Sequence, residues 1–240
     1  MIHKTAIVET DKLGKDVEIK ENVIVRHGAV IGDNVIIHPF SILEEGVIVG
    51  DDVEIFPYAY IGKKPKGPGL ANKPVYEKYA KIGAHSVIGP NTVINYGVMV
   101  GENCLISDNV SIRENCTIGD NSIIGRQVTI NFGTTIGSNT RIMDLSHITA
   151  RSVVEDNVFI GPGVSSADDD SMGRGNNYNP LEDKGPHIEK GVSIGEGCVI
   201  LPKIIIEEGA VVGAGTVVRN IVRRNSLVIG NQELLKTKLK

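Results

Sequence analysis

The chain of 240 residues contains no Trp, only six Tyr and four Phe, and only three Cys. A core of this size is ordinarily filled with rings as well as aliphatic chains. Their scarcity predicts an interior of narrow slots that aliphatic residues alone can fill. No run of 18 apolar residues occurs, so no membrane span is predicted. The opening "MIHKTAIVET" has no apolar h-region, so no secretory signal is expected. An odd number of cysteines without metal-like spacing fits a reduced, cytoplasmic protein. There is no basic block in a chain of net charge −4, which argues against a nucleic-acid partner. Apolar residues make up 41% and mean hydropathy is near zero, so disorder is excluded. The length suits one domain or one with a small appendage.

What the chain has in place of rings is a repeat. Stepping by six from Ile7 gives Leu13, Ile19, Val25, Ile31, Ile37, Leu43, Val49, Ile55 and Ile61. The series resumes at Ile82 and runs to Ile160, then from Ile188 to Val218, with Ile, Leu or Val at all thirty positions. A period of six is not helical. It is compatible with short period-2 strands interrupted by turns. Gly32, Gly119 and Gly50 open "GDN" or "GDD" turn signals, and the position two before each aliphatic is usually small or β-branched, as at Ala29, Val35, Ser41, Val110 and Thr216. This is the pattern of an all-β parallel solenoid. Three hexads per turn make an 18-residue coil, and thirty hexads make about ten coils, about 48 Å long. Cys104, Cys116 and Cys198 each fall in the small inward slot, where Cys acts as a small hydrophobe.

Two gaps break the series. Residues 62–81 and 161–187 are predicted to leave the prism and return as excursion loops. The β-helix domain is placed at 1–230. The tail 231–240 is predicted to form a short C-terminal helix that caps the last coil.

Residues 18 apart stack on one face wherever coils are uninterrupted, as between Ile82 and Ile160. Half of the repeat aliphatics there are followed by Gly. One column instead reads Asn95, Arg113, Asn131, Thr149, and the next reads Tyr96, Glu114, Phe132, Ala150. The preceding corner reads Asp108, Arg126, Asp144, and His147 stacks above Thr129 and Ser111. This polar cluster reads either as a candidate site or as a solvated face or subunit interface with satisfied pairs. The adjacent second gap weighs toward a site.

With these residues on the page, the chain resembles the hexapeptide-repeat acyltransferase superfamily. "MIHKTAIV", "IGDNVIIHPFSI" and "IFPYAYIG" resemble UDP-N-acetylglucosamine O-acyltransferase, whereas "VEDNVFIGPGV" and "SIGEGCVILPKIIIEEGAVVGAGTVVRN" are closer to nucleotide-sugar N-acetyltransferases. The resemblance implies a left-handed, triangular β-helix, a homotrimer with sites at clefts between prisms, and acetyl-CoA as co-substrate. "IMDLSHITA" is similar to the O-acyltransferase's catalytic segment. His147 falls on the first of its two histidines, and Ala150 on the second, the catalytic base. A sugar hydroxyl needs a general base in reach, so this departure favours transfer to an amine. In the N-acetyltransferases an acceptor-pocket stretch follows "FIGPGV"; here it reads "SSADDD", in which Asp168 retains the role.

The function the resemblance implies is acyl-CoA-dependent N-acylation of a nucleotide-linked amino sugar. The candidate catalytic residues are His147, Glu114 and Asp144, with Asn95, Arg113, Asn131 and Asp168 against the acceptor. Asn131 or a backbone N–H would meet the tetrahedral oxyanion. Gly161, Gly195, Gly213 and Ala214 would let pantetheine approach the backbone. Lys203 and Arg219, with Arg223 and Arg224, would meet CoA phosphates or simply form a solvated basic end. The alternatives are an acyl carrier protein-dependent O-acyltransferase on a UDP-sugar and a non-catalytic scaffold. A zinc enzyme would need three convergent histidines. His3, His27, His38, His85, His147 and His187 offer no pair five apart and no shared column, so no metal is expected.

Overall fold

The structure is a computed structural model that describes residues 1–66, 74–172, 174 and 184–230. The 231–240 helix and Tyr178 lie outside the described residues. Among the described residues, thirty-one short strands wind into an all-β parallel solenoid of three sheets. Face I has 11 strands, from Ile7–Val8 to Val217–Val218; face II has 11, from Glu18–Ile19 to Leu227–Val228. Face III has nine, from Val30–Ile31 to Ile205–Ile206. The chain visits face I, then III, then II, and returns one rung higher. Partners in adjacent coils are 18 residues apart, as in Ile94 with Ile112 and Ile112 with Ile130.

Each hexad carries its own geometry. The aliphatic points inward: Ile94, Ile112, Ile124 and Ile142 are fully buried, each worth about 2 kcal/mol of apolar burial. The core cluster holds Val, Ile, Leu, Ala and Cys and no aromatic ring. Three residues after the aliphatic the backbone turns through positive φ, as at Asn109 (57°), Asn121 (58°) and Asn139 (56°). Asn tolerates this better than other side chains. Four residues after it lies the small inward slot. There Ser86, Thr92, Ser122, Thr140 and Ser146 donate their hydroxyls to the carbonyl 15 residues on. The cysteines do the same with a weaker donor. Cys104, Cys116 and Cys198 Sγ lie 3.3, 3.0 and 3.1 Å from the carbonyls of Gly119, Asn131 and Gly213. Burial pushes the Cys116 thiol up to about 12, which makes it an inert member of that row.

The repeat departs from a strict step of six in three places. In the first coil Val8, not Ile7, lies inward and pairs with Val25, so that coil has 17 residues. The series also continues beyond Val218. Val222 bridges Ile206 and Val228 pairs with Val212, each 16 residues on. The second excursion begins later than residue 161, because Ser165–Ser166 is still a face I strand, paired with His147 below and Val199–Ile200 above. Ser166 occupies an aliphatic slot; its hydroxyl accepts the Thr149 N–H at 2.9 Å. With these additions the solenoid has about 11 turns rather than ten.

Candidate functional site

Both excursions return to one edge of the prism, the corner between faces I and III. The first leaves after Tyr60–Lys63 and rejoins at Ala80–Ile82. It is pinned there by Asn115 Nδ2 donating to the Val75 carbonyl (2.6 Å) and the Gly97 N–H donating to Tyr79 (2.7 Å). The Tyr76 ring stacks on Tyr96 at 5.8 Å. Burial, with the charges of Glu44 and Glu45, pushes the Tyr96 phenol up to about 12, and its hydroxyl donates to the Glu45 carbonyl. The second excursion sets Asp168 near His147, Asp170 on Lys203 (2.7 Å), and the Gly185 N–H on the Ala150 carbonyl (2.9 Å).

Between these anchors lie polar residues that coil stacking does not demand. Glu114 is 4% exposed. Its Oε1 accepts from Arg113 Nη2 at 2.7 Å; its Oε2 accepts from Asn95 Nδ2 at 3.1 Å and from Arg113 Nε at 3.3 Å. Burial works against its charge, but Arg113, its own backbone N–H and Asn95 outweigh burial and hold the carboxyl below its ordinary value. The Arg113 guanidinium also lies 4.9 Å from the Phe132 ring centroid. Arg151, one coil above Phe132, lies 5.1 Å from the same ring.

His147 stands on the outward row of face I, with Nδ1 2.7 Å from Thr129 Oγ1. Burial pushes its imidazole below its ordinary value, and Asp168 opposes this. A neutral imidazole at pH 7 can take a proton. With Nδ1–H donated to Thr129, the lone pair lies on Nε2.

The sequence-predicted residues thus separate into groups. Asn95, Arg113 and Glu114 form one bonded unit at the I/III corner. His147 and Thr129 form a second, with the Asp168 charge acting on the imidazole, and His147 stands two coils above Arg113, about 10 Å along the axis. Glu114 and His147 therefore do not share one reacting atom, and both Glu114 oxygens are already engaged. Asn131 is half-buried in the column between the two groups. Asp144 lies at the opposite edge, the II/I corner. Its Oδ1 accepts the Arg126 N–H at 2.8 Å and its Oδ2 pairs with the Arg126 guanidinium at 2.6 Å. Arg126 holds the carboxyl below its ordinary value. Asp33, Asp51, Asp120 and Asp156 accept the same kind of backbone bond from the coil below. Asp144 is therefore a corner aspartate by geometry. Asp108 is not directly bonded into this pair; it acts on Arg126 only through its charge.

The small residues predicted to admit the cofactor, Gly161, Gly195, Gly213 and Ala214, also sit in the II/I corner, where stacking accounts for the glycines. A Cβ on Gly161 would lie 2.8 Å from the Glu196 nitrogen, and one on Gly195 would lie 2.5 Å from the Ala214 nitrogen. One on Gly213 would lie 2.9 Å from the Ile229 side chain. Lys203 and Arg219 lie on the I/III edge, Lys203 bound to Asp170 and Arg219 exposed. Arg223 and Arg224 pair with Glu207 and Glu208. The four cations are spread over two edges rather than gathered. Sequence reasoning missed Arg151, which stands one residue beyond the polar column. Among the described residues no group of His, Cys, Asp and Glu could hold a metal ion, and no helix is long and apolar enough to cross a membrane.

The fold is similar to that of solved sugar-nucleotide acyltransferases. UDP-N-acetylglucosamine acyltransferase from Bacteroides fragilis is 25% identical with a TM-score of 0.60, over 83% of this chain and 66% of that one. The chain thus spans just under two thirds of that enzyme's length. The Arabidopsis enzyme of the same name is 20% identical with a TM-score of 0.62, over 96% and 71%, a likeness of fold alone. A variant of perosamine N-acetyltransferase from Caulobacter crescentus, solved with CoA and GDP-perosamine, is 23% identical over 58% and 50%, with a TM-score of 0.30. No curated protein matches the chain. The family model described as bacterial transferase hexapeptide (six repeats) matches residues 12–45, 28–63, 79–110, 97–131, 133–165 and 185–220. These matches cover well over half of the sequence, and the chain belongs to the bacterial transferase hexapeptide family.

Proposed function

We propose that the chain is an acyl-CoA-dependent N-acyltransferase, using acetyl-CoA, that acts on the amino group of a nucleotide-linked amino sugar. The observation that carries this reading is the pairing of His147 with Ala150. His147 offers a neutral imidazole held by Thr129. Ala150, where the resembled O-acyltransferase has its base, is a methyl group 1% exposed, with the Gly185 backbone bonded to its carbonyl. No second base can act from that position. An amine is the stronger nucleophile and needs less help than a hydroxyl. The amine attacks the thioester carbonyl, the C–N bond forms, the C–S bond breaks, and the proton passes to His147 Nε2 as the CoA thiolate leaves. Asp168 and Asn131 orient the acceptor, and Glu114 acts through Arg113. The enzyme works in the cytoplasm without a metal and as a homotrimer, the assembly the resemblance implies.

The test is turnover of dTDP- and UDP-linked amino sugars with acetyl-CoA. His147→Ala is expected to lower kcat/KM by about 10²–10⁴. The wild-type pH profile should show an acid limb below the ordinary histidine value, because the base is lost as pH falls through the lowered pKa of His147. Full kcat/KM in His147→Ala, or a flat profile through that range, would sink the assignment. A second reading, O-acylation of a UDP-sugar from acyl carrier protein, is favoured by the similarity to the Bacteroides fragilis enzyme. It predicts turnover with acyl carrier protein thioesters and none with acetyl-CoA.

A further inference from the structure

Four of the six histidines stand beside a carboxylate. His38 Nε2 lies 2.7 Å from Glu54 and His187 Nε2 lies 2.7 Å from Glu155. His85 Nδ1 lies 3.4 Å from Asp52, and His3 Nε2 lies 3.9 Å from Glu21. His147 is held differently. Its Nδ1 meets the Thr129 hydroxyl at 2.7 Å, and Asp168 acts on it only through its charge. The contact follows from register, because Thr129 pairs with His147 across adjacent coils, with Ser111 below and Ser165 above. Of the other charged groups on these coils, Asp144 is bound to Arg126 at the II/I corner. At the I/III corner Arg113 is bound to Glu114, and Arg151 lies against Phe132.

The partner of one ring nitrogen decides what the other can do. A carboxylate on Nδ1–H fixes the tautomer and also stabilises the imidazolium, so the ring holds on to a proton it has taken. A hydroxyl oxygen that accepts Nδ1–H fixes the same tautomer without that charge. In the reaction proposed above, Nε2 takes a proton from the amine and gives it up to the CoA thiolate, which returns the ring to neutrality. An uncharged partner suits a base that must release its proton. The coil itself does not demand a hydroxyl at this position. Val serves an outward strand position as well as Thr does, as Val93 and Val199 do on the same row of face I.

We propose that Thr129 is a positioning residue for His147. Its oxygen accepts Nδ1–H, leaves the lone pair on Nε2, and adds no charge that would hold the proton there. For the use made of Nε2 this rests on the proposed function; the tautomer itself does not.

The test combines a spectrum with kinetics, on the full chain, for wild type, Thr129→Val, Thr129→Ser and Thr129→Asp. Circular dichroism melts would verify the fold of each. Nitrogen-15 NMR of histidine-labelled protein, with His147 assigned by its loss in His147→Gln, reads the tautomer without substrate. Wild type and Thr129→Ser should show Nδ1 protonated and Nε2 bare, and Thr129→Val should lose that preference. With dTDP- and UDP-linked amino sugars and acetyl-CoA, Thr129→Val should lower kcat at least about tenfold with KM unchanged, the signature of a base in the wrong tautomer. Thr129→Ser should restore kcat. Thr129→Asp should move the acid limb of the pH profile up by about one unit, because a carboxylate beside the ring favours the imidazolium and the base is then lost at higher pH. Identical spectra for wild type and Thr129→Val overturn the inference. So does wild-type kcat in Thr129→Val alongside a large loss in His147→Ala, which would leave the proposed function standing. Full activity in His147→Ala, with a spectrum that still follows Thr129, would sink the proposed function and leave the tautomer assignment standing.

Discussion

The two edges that border face I are built from the same hexad and are put to different use. At the II/I edge nearly every residue is accounted for by the coil next to it. Gly125, Gly161 and Gly195 are bare because the next backbone lies where a Cβ would be, and Asp144 accepts an N–H from the coil below. At the I/III edge stacking leaves residues over: a carboxylate 4% exposed, two arginines on one ring, and the landing points of both excursions. In a repeat this regular, the edge whose residues exceed what stacking requires is the one to examine for chemistry.

The largest effect on stability should come from the I/III edge. Arg113→Ala would leave Glu114 buried with Asn95 as its remaining side-chain partner. Stranding one member of a buried pair is costly. Because the Arg113 side chain is 41% exposed, the cost is put at about 2–3 kcal/mol, below that of a fully buried pair. The pH dependence has a definite sign. In wild type the Glu114 carboxyl is held below its ordinary value, so it contributes stability above the unfolded carboxyl pKa, and that contribution is lost as pH falls through the lower folded value. In the variant the unpaired carboxylate can escape by taking a proton, so the deficit should shrink toward pH 4. Urea unfolding at pH 7 and pH 4 reads this directly. A deficit equal at both pH values would show that the loss is packing on Phe132 rather than charge.

A smaller effect separates two glycines of one II/I corner. Gly195 has the Ala214 backbone 2.5 Å from its missing Cβ, whereas Gly197 has positive φ (66°) and nothing within 4 Å. Gly195→Ala should cost about 2 kcal/mol by overpacking, and Gly197→Ala about 1 kcal/mol by backbone strain alone. Thermal melts of the two variants compare them. Full stability in Gly195→Ala together with lost acetyl-CoA affinity would instead place a ligand against this edge.

Much of this division was readable in the sequence, because an 18-residue coil turns spacing into position. The columns Asn95–Arg113–Asn131 and Ser111–Thr129–His147 stand where arithmetic puts them. The failures have local causes. A search for aliphatics at a strict step of six passes over Val8, where the first coil is a residue short, and over Val222, where the last coil is two short. It passes over Ser166 because that slot uses a hydroxyl to satisfy the Thr149 N–H. Arg151 was missed because position along the chain does not say which way a long side chain runs, and this one folds back over Gly133. A signal was present in the positive-φ column of the I/III edge, where Gly97, Asn115 and Gly133 give way to Arg151 and Lys203. Asp144 has a second account for the opposite reason: an acidic residue beside a polar face looks like chemistry, and the corner aspartates elsewhere make the same bond.

The smallest expected effect is therefore the sharpest test of the comparison. Asp144→Asn keeps a side-chain oxygen that can accept the Arg126 N–H and removes only the charge pairing with the guanidinium. Arg126 is 67% exposed, and an ion pair so open to water and salt contributes little. The variant should melt with wild type and turn over acceptor at the wild-type rate, with no change in the acid limb of the pH profile. The acid limb is the informative readout, because a carboxylate near the reacting amine would shift it even where the rate at pH 7 survived. A loss of about tenfold or more in kcat/KM, the scale of a missing proton-transfer group, in a chain that still melts with wild type would mean that the reaction spans face I from edge to edge. In that case the Asp144 carboxylate, and not its fit to the corner, is what that position is for.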